Sequence, residues 1–271
     1  MIARALTIAG SDPSGGAGIQ ADLKTFTVFR VYGMSAITAL TAQNTRGVSG
    51  IVTVEPGFVR QQIDVVAADV GVDAAKTGML ATRGIIVAVA DALRAHRIER
   101  LVVDPVMAAQ TGAALLEADA RDALRATLIP LALIVTPNTI EAEALLDAPV
   151  RTLADMRTAA RALVAAGART ALVKGGHLAG GDAVDVFFDG TEVRELGSPR
   201  IDTPNTHGTG CILSAAITAG LAQGLGVWEA VVRAKRFVTA AVAGALALGS
   251  GSGPANPLAW LEVEEVGEVD S

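Results

Sequence analysis

The chain has 271 residues, of which 51% are apolar and 3% aromatic, and this composition predicts one large core in a single domain spanning residues 1–271. Its 28 acidic and 22 basic residues give a net charge of −6, which argues against nucleic acid as a partner. The single cysteine, Cys211, rules out an intrachain disulfide and is typical of a cytoplasmic protein.

Short apolar stretches rich in Val, Ile and Leu alternate with stretches whose apolar residues recur every three or four positions. The first kind predicts strands and the second predicts helices. The predicted strands cover residues 4–8, 34–43, 73–77, 100–103, 132–136 and 170–174. The predicted helices cover residues 18–29, 58–70, 83–96, 119–128, 140–145, 153–166, 209–224 and 228–248. This alternation predicts an α/β fold with a doubly wound, mostly parallel central sheet and helices on both faces.

Residues 184–188 and 191–195 depart from the alternation, because they flank the dipeptide Asp189-Gly190. That dipeptide favours a two-residue type I′ turn between antiparallel strands. We therefore expect a small antiparallel hairpin at the edge of the sheet.

The mean hydropathy of +0.45 is high, so a membrane span has to be considered. The longest apolar helical stretches, residues 211–225 and 237–248, contain glycines and are shorter than the roughly 20 residues that a span requires. Buried helices of a globular core explain them better, and we expect no membrane partner.

Six polar or glycine-rich clusters follow the predicted strands. In open parallel sheets, ligands bind beyond the carboxyl ends of the strands, so these clusters should line one crevice. They are residues 9–18, 43–45, 77–79, 104–107, 136–138 and 174–177.

A separate glycine turn, Asn205-Thr206-His207-Gly208-Thr209-Gly210-Cys211, precedes a late apolar helix. Exposed backbone N–H groups at a helix start favour an anion, and glycine permits the close approach or positive φ that wrapping a phosphate requires. We interpret Gly208, Thr209 and Gly210 as a phosphate site. The alternative is a plain glycine turn that caps a core helix.

Lys174 is the second candidate for contacting phosphate. It follows a buried apolar strand and precedes two glycines, and a buried ammonium group needs a negative partner. An ordinary salt bridge is the alternative. His177 and His207 are expected either to hydrogen-bond phosphate or to brace a loop.

Acidic residues at strand ends suggest a metal site. Asp104 follows Leu-Val-Val, and Glu141 lies three positions after Asn138, so Asn138 and Glu141 can share one face of a first helical turn. Oxygen ligands of this kind suit Mg²⁺ held together with nucleotide phosphates. Alternatively, Glu141 caps its helix and Asp104 begins a turn before Pro105.

Two common nucleotide-binding signatures do not explain these clusters. The Walker A pattern is absent, which disfavours a P-loop nucleotidase. Residues 16–21 match the dinucleotide fingerprint Gly-x-Gly-x-x-Gly/Ala, but Gln43 and Asn44 stand where a ribose-binding carboxylate is expected. An NAD-dependent oxidoreductase is therefore disfavoured.

Taken in order, five motifs resemble those of the hydroxymethylpyrimidine/phosphomethylpyrimidine kinases. The resemblance covers nearly the whole chain, and single motifs are shared with pyridoxal kinases and ribokinase-like sugar kinases. The motifs are AGSDPSGGAGIQAD at residues 9–22, AQNT at 42–45, DPVM at 104–107, VKGGH at 173–177 and NTHGTGC at 205–211.

The resemblance implies a ribokinase-like fold, a homodimer and a role in thiamine biosynthesis. It implies that MgATP phosphorylates the hydroxymethyl group of 4-amino-5-hydroxymethyl-2-methylpyrimidine and then the resulting monophosphate. It also implies nucleotide contacts by Asn138. The residues that it places against the pyrimidine are Ala17, Asp22, Gln43, Met79 and Val106, with Met79 and Val106 on the faces of the ring.

Cys211 occupies the position where sugar kinases of this fold carry a catalytic aspartate. A thiol at a helix N-terminus is expected to have a lowered pKa, so a thiolate is a candidate base for the hydroxymethyl proton, with Lys174 stabilising the moving phosphoryl group. Cys211 as a small buried apolar residue is the alternative. Two other functions remain open: a pyridoxal or pyridoxine kinase, and a pyrimidine-binding protein without activity.

Overall fold

The computed structural model describes residues 2–109, 112–113, 115–117, 119–176 and 181–262. The strands are β1 (Arg4–Ala9), β2 (Tyr32–Ile37), β3 (Ala39–Asn44), β4 (Gly47–Thr53), β5 (Ala74–Thr77), β6 (Leu101–Val103), β7 (Ile134–Val135), β8 (Thr170–Val173), β9 (Ala183–Phe188) and β10 (Val193–Ser198). The helices are α1 (Gly18–Val28), α2 (Pro56–Asp69), α3 (Arg83–Ala95), α4 (Ala120–Ala123), α5 (Thr139–Leu146), α6 (Leu153–Ala165), α7 (Thr209–Ala222) and α8 (Val227–Ala243).

Eight strands form one sheet in the order β10-β9-β8-β7-β6-β5-β1-β2. Strands β2, β1, β5, β6, β7 and β8 pair in parallel, and β9 and β10 complete one edge with antiparallel pairing. This confirms the predicted mostly parallel sheet with an antiparallel hairpin at its edge.

Neighbouring residues of the central strands point into two different cores, because side chains alternate along a strand. Ala5, Val102 and Leu172 pack in the core that contains α1, α7 and α8. The residues after them, Leu6, Val103 and Val173, pack in the core that contains α2 to α6. Helices therefore cover both faces, as the prediction requires.

The single strand predicted over residues 34–43 is wrong, because the chain leaves the main sheet at Thr38. Its buried side chain donates to the carbonyl of Met79, and its backbone N–H donates to the carbonyl of Ala9. Beyond it, β3 pairs with β4 in a separate antiparallel sheet, which the sequence did not predict. The glycines at positions 47 and 50 weaken the strand pattern of β4.

The edge hairpin exists, but its predicted two-residue turn is wrong. Phe188 pairs with Val193, which leaves four residues between the strands. The carboxylate of Asp189 accepts hydrogen bonds from the N–H groups of Thr191 and Glu192. Gly190 takes a positive φ and Asp189 does not, so the turn is held by the side chain of Asp189 and is not type I′.

Two helices differ from the predicted bounds. The helix predicted over residues 119–128 has one α-helical turn, α4, followed by a π-helical turn at Leu124–Leu128 and a 3₁₀ turn at Ile129–Leu131. Helix α8 ends at Ala243, before Gly244, and not at Leu248. Within the described part of the chain, no helix has the length and apolar character needed to cross a membrane.

Candidate active site at the carboxyl ends of the strands

A pocket of about 460 Å³ opens at the carboxyl ends of β1, β5, β6 and β8. Each of the six predicted clusters contributes residues to its wall. All thirteen predicted site residues also line it: Ala17, Asp22, Gln43, Met79, Asp104, Val106, Asn138, Glu141, Lys174, Gly208, Thr209, Gly210 and Cys211.

The turn before α7 has the geometry of an anion site. Gly208 takes φ +81°, and a Cβ there would clash with the carbonyl oxygen of Gly16. Gly208 is therefore required for its conformation and for a close contact between two backbones. Among the described residues, no protein acceptor faces the N–H groups of Gly210 and Cys211, so both can donate to a ligand at the positive end of the helix dipole.

The ammonium group of Lys174 converges on the same turn. A Cβ added at Gly210 would lie 3.3 Å from Nζ of Lys174. Nζ also lies 3.1 Å from Oδ1 of Asp104 and 3.8 Å from Oε2 of Glu141. Burial alone would lower the pKa of Lys174, but these two carboxylates raise it above its ordinary value. The amine therefore stays protonated.

Asp104 and Glu141 are both held by further contacts. Asp104 accepts hydrogen bonds from the hydroxyls of Ser214, at 3.0 Å, and Thr136, at 3.4 Å. Glu141 forms a capping box at the start of α5, in which its Oε2 accepts from the N–H of Asn138 and its own N–H donates to Oδ1 of Asn138. The capping interpretation of Glu141 is thus confirmed, and the same carboxylate also faces Lys174.

Burial raises the pKa of Glu141 to about 7, against the opposing attraction of the Lys174 ammonium. Near neutral pH this carboxyl group therefore exists in both its protonated and its ionised form. A further cation close to it, in addition to Lys174, favours the ionised form. Within the described residues no group of three or more His, Cys, Asp or Glu side chains could hold a metal ion. Two convergent carboxylates are nevertheless the kind of donor set that Mg²⁺ accepts when water and phosphate complete its coordination.

The sequence matches the family model described as phosphomethylpyrimidine kinase over residues 12–256. The chain belongs to this family. It is 52% identical over 257 residues to the hydroxymethylpyrimidine/phosphomethylpyrimidine kinase of Rhizobium meliloti, covering 94% of this chain and 96% of that protein. The family resemblance is therefore confirmed.

One further relative and one solved structure are also similar to this chain. It is 53% identical over 261 residues to the thiamine biosynthesis bifunctional protein ThiED of Geobacter sulfurreducens, covering 96% of this chain but 53% of that protein. The chain thus spans about half of the bifunctional relative. The structure also resembles an ADP complex of Bacillus subtilis pyridoxal kinase, with a TM-score of 0.90 and 41% identity over 97% of this chain and all of that one.

One end of the pocket in this family member carries the residues predicted to bind the pyrimidine. Met79 and Val106 pack with Ala39 in one small apolar cluster. Met79 and Val106 themselves form part of the pocket wall. A β-bulge between Ala42 and Gln43 interrupts the β3–β4 pairing. Bulges commonly redirect side chains near active sites, and Gln43 lies on the pocket wall.

The same end of the pocket contains a buried lysine that the sequence analysis missed. Lys76 lies on the central strand β5 and is 0% exposed. Its Nζ lies 2.6 Å from Oδ1 of Asp22, and Oδ2 of Asp22 accepts a hydrogen bond from Thr7. The available signal was a lone lysine inside the predicted strand of residues 73–77, which the sequence analysis treated only as a strand residue.

The expected lowered pKa of Cys211 is wrong for the protein without ligands. Burial raises the pKa of the thiol to about 12, although the nearby ammonium of Lys76 acts in the opposite direction. Desolvation in the pocket wall is therefore the largest influence on the pKa of this thiol. The position of Cys211 on the pocket agrees with a role at the site, but its resting form is a neutral thiol.

His207 braces the loop that precedes α1. Its Nε2 lies 2.8 Å from Oδ2 of Asp12, whose carboxylate also accepts hydrogen bonds from the backbone and hydroxyl of Ser14. Although burial opposes ionisation, these bonds hold the pKa of Asp12 below its ordinary value. The bracing alternative thus describes His207, whereas His177 lies outside the described residues.

A glycine-rich segment, residues 249–253, ties the β3–β4 turn to the residues before α7. The backbone N–H of Ser252 donates to the carbonyl of Thr45. The backbone N–H of Gly253 donates to Oδ1 of Asn205, and its carbonyl accepts from the N–H of His207. We call residues 249–253 the glycine strap.

The pocket also has apolar lining residues that the sequence analysis did not assign. They include Ile201, Leu213, Val238 and Val242, which form an apolar wall of the pocket. They come from a loop and from α7 and α8, and periodicity predicted their helices without separating pocket residues from core residues.

A second buried ion pair lies beside this wall. Nζ of Lys235 on α8 lies 2.8 Å from Oδ2 of Asp185 and 2.9 Å from the carbonyl of Ala183. Oδ1 of Asp185 accepts from the N–H of Gly175, the residue after Lys174. The pair therefore anchors the chain just beyond Lys174.

Proposed function

We propose that the chain transfers the γ-phosphoryl group of ATP to the hydroxymethyl group of 4-amino-5-hydroxymethyl-2-methylpyrimidine and then to the resulting monophosphate, in thiamine biosynthesis. The observation that carries the proposal is the convergence of Nζ of Lys174 on the Gly208–Cys211 turn within one pocket. The family membership and the named activity of the Rhizobium relative support it.

The phosphoryl group is bound by two elements. The N–H groups of Gly210 and Cys211 donate to its oxygens, and the ammonium group of Lys174 neutralises charge that develops on them. Because phosphoryl transfer depends mainly on positioning and electrostatic stabilisation, these fixed donors supply the main chemical requirement. ADP leaves when the bond between the γ-phosphorus and the bridging oxygen breaks.

We assign the nucleotide to the end of the pocket with the wall of Ile201, Val238 and Val242, on which a planar base can pack. Asn138, at the start of α5, lines the same pocket, and we assign it to nucleotide contact. The ADP complex of the pyridoxal kinase neighbour supports nucleotide binding by this fold.

Mg²⁺ fits beside the phosphates, where Asp104 and Glu141 would hold it. Its charge would neutralise phosphate oxygens that Lys174 does not reach. Chelation of Mg²⁺ should abolish ADP release, and added Mg²⁺ should restore it. Undiminished turnover in excess chelator would contradict this assignment.

The acceptor lies at the opposite end, against Met79 and Val106, with Ala17, Asp22 and Gln43 around the ring edge. In the first transfer the hydroxymethyl oxygen forms a bond to the γ-phosphorus and its proton passes to the thiolate form of Cys211. The second acceptor is already an anionic phosphate oxygen and requires no such base.

The decisive experiment supplies the pyrimidine alcohol and MgATP and follows products by mass spectrometry. We expect the monophosphate to appear first and the diphosphate to follow from it. ADP production without a phosphorylated pyrimidine would overturn the proposed function.

A pyridoxal or pyridoxine kinase is the second candidate, favoured by the structural match to the Bacillus subtilis enzyme. Both acceptors carry a hydroxymethyl group on a flat ring and can enter the same pocket. Comparison of kcat/KM for the pyrimidine alcohol and for pyridoxal separates the two functions. A larger value for pyridoxal would make vitamin B6 the preferred substrate.

We also propose that the chain acts as one domain, in a cytoplasmic homodimer. The family match over residues 12–256 supports the single domain, and the lone thiol of Cys211 suits a reducing compartment. Exposed apolar side chains on the β3–β4 hairpin, including Leu40 at 52% and Val52 at 68%, support self-association. Light scattering coupled to gel filtration measures the mass, and a monomer at working concentration would exclude the dimer.

A further inference from the structure

Lys76 has a buried ammonium group, which is unfavourable for stability, and the proposed mechanism does not use it. It lies on β5, an interior strand of the sheet, and its side chain is fully buried. Removal of an ammonium group from water is costly, and a buried ion pair is often no more stabilising than apolar residues of similar size. Stability alone is therefore a weak reason for a lysine here.

The contacts of Lys76 join two parts of the proposed site. Its Nζ lies 2.6 Å from the carboxylate of Asp22, on α1, and 3.3 Å from the backbone carbonyl of Cys211, in the first turn of α7. Although burial lowers it, the carboxylate of Asp22 raises the pKa of Lys76, so the amine is charged. One cation thus contacts Asp22, at the proposed acceptor end, and Cys211, in the Gly208–Cys211 turn that we call the anion turn.

The hydrogen bonds continue beyond Cys211. The hydroxyl of Ser214 lies 3.0 Å from the same carbonyl of Cys211 and 3.0 Å from Oδ2 of Asp104. Asp104 in turn contacts Lys174. A continuous polar path therefore runs from Asp22 through Lys76 and α7 to the phosphate-binding lysine.

We propose that Lys76 is a positioning residue that holds the carboxylate of Asp22 and the first turn of α7 in one fixed arrangement. The proposal rests on the proposed kinase function, because it assigns the acceptor to Asp22 and the phosphoryl group to α7. Lys76 touches neither substrate in this account. It sets the distance and orientation between the two groups that react.

Lys76→Met tests the proposal, because it removes the ammonium group and keeps an unbranched apolar side chain. We expect kcat/KM for the pyrimidine alcohol to fall by at least about tenfold, through a higher KM and a lower kcat. The Kd for ADP, measured by calorimetry, should stay within about twofold of the wild-type value. If ADP affinity and kcat/KM for the pyrimidine fell by the same factor, the substitution would have disrupted the site in general, and the proposal would be overturned.

Lys235→Met is the matched control, because Lys235 is also a buried lysine paired with a buried aspartate, at the nucleotide end. It should weaken ADP binding more than acceptor binding, which is the reverse of the pattern expected for Lys76→Met. If the two variants change the same parameters by the same factors, Lys76 has a structural role only.

Lys76→Met leaves Asp22 as an unpaired buried charge and can prevent folding. In that case Lys76→Met combined with Asp22→Asn, compared with Asp22→Asn alone, gives the test. The combined variant should have a kcat about tenfold lower than the single variant, because it also loses the contact with the carbonyl of Cys211. Equal kcat values would show that Lys76 serves Asp22 alone, against the proposal.

Binding of the pyrimidine to the nucleotide-free protein separates the failure of this inference from the failure of the proposed function. If the wild type binds the pyrimidine but phosphorylates nothing, the kinase proposal fails. Calorimetry on Lys76→Met then still reports on Lys76, with at least about tenfold weaker pyrimidine binding expected. Unchanged pyrimidine affinity in a folded Lys76→Met variant would overturn the acceptor half of the proposal.

Discussion

Nζ of Lys174 lies 3.1 Å from Oδ1 of Asp104, so the cation that faces the anion turn is held at the end of β8 by a carboxylate at the end of β6. This pairing keeps the ammonium group charged and directed into the pocket. In the proposed function, the phosphate oxygens therefore bind a cation that is already oriented.

We therefore expect Lys174→Met to lower kcat by roughly two to three orders of magnitude, as removal of one charge-stabilising donor does in other enzymes. ADP release measures the loss. Lys24→Met is the control, since Lys24 is exposed and contacts only the carbonyl of Gly15 among its described partners. Comparable losses in both variants would contradict a special role for Lys174.

Cys211→Ala should slow the first phosphorylation far more than the second, because only the neutral alcohol must lose a proton. Single-turnover measurements with each acceptor give the two rates. Equal slowing of both steps would instead favour a role for Cys211 in shaping the anion turn.

The pH profile gives an independent check on the same cysteine. Since the pKa of the thiol is about 12, the thiolate is scarce at neutral pH. As long as the pH stays below the pKa, the thiolate fraction rises about tenfold for each unit by which the pH increases. The rate of the first step should therefore increase between about pH 7 and pH 9, whereas that of the second should not. A first step that is flat with pH would exclude free thiolate as the base.

Gly208→Ala should destabilise the protein more than Gly224→Ala, although both glycines take a positive φ. The strain of alanine in that region costs about 1–2 kcal/mol at either position. At Gly208 the new Cβ also meets the carbonyl of Gly16, whereas at Gly224 no atom lies within 4 Å. Urea unfolding measures both, and equal losses would show that the loop around Gly16 yields freely.

The raised pKa of Glu141 predicts how the stability of the protein depends on pH in the absence of Mg²⁺. Its pKa is about 7 in the folded protein and 4.5 as the ordinary value, so the folded state binds more protons between these limits. The free energy of unfolding contributed by this group is therefore present below pH 4.5 and is lost as pH rises through about 7. Glu141→Gln should make unfolding midpoints at about pH 5.5 and pH 8 more similar than in the wild type. An unchanged difference between the two midpoints would contradict the raised pKa.

Much of the site was predictable because its residues follow strands, and a parallel sheet brings strand ends together. Asp104, Asn138 and Lys174 are predicted for this reason, and the glycine turn before α7 carries its own signal. The ionisation state of Cys211 was not predictable, since it depends on how thoroughly the fold removes water from the thiol.

Two other features were missed because local sequence encodes them only weakly. The sequence marks Lys76 only as a lone lysine in a predicted strand and Lys235 only as a helical lysine, and it does not show that each pairs with a distant buried aspartate. Strand β4 escaped because its glycines and exposed side chains hide the alternation that identifies strands.

The glycine strap makes the shape of the pocket depend on residues that are far apart in the chain. Its contact between Gly251 and Thr45 spans 206 positions in sequence, and the nearby pair of Asp12 and His207 spans 195. Contacts between such distant positions form slowly, because much of the chain must be ordered before they can be made. Nearly the whole chain must therefore be in place before the pocket can take the shape that receives either substrate.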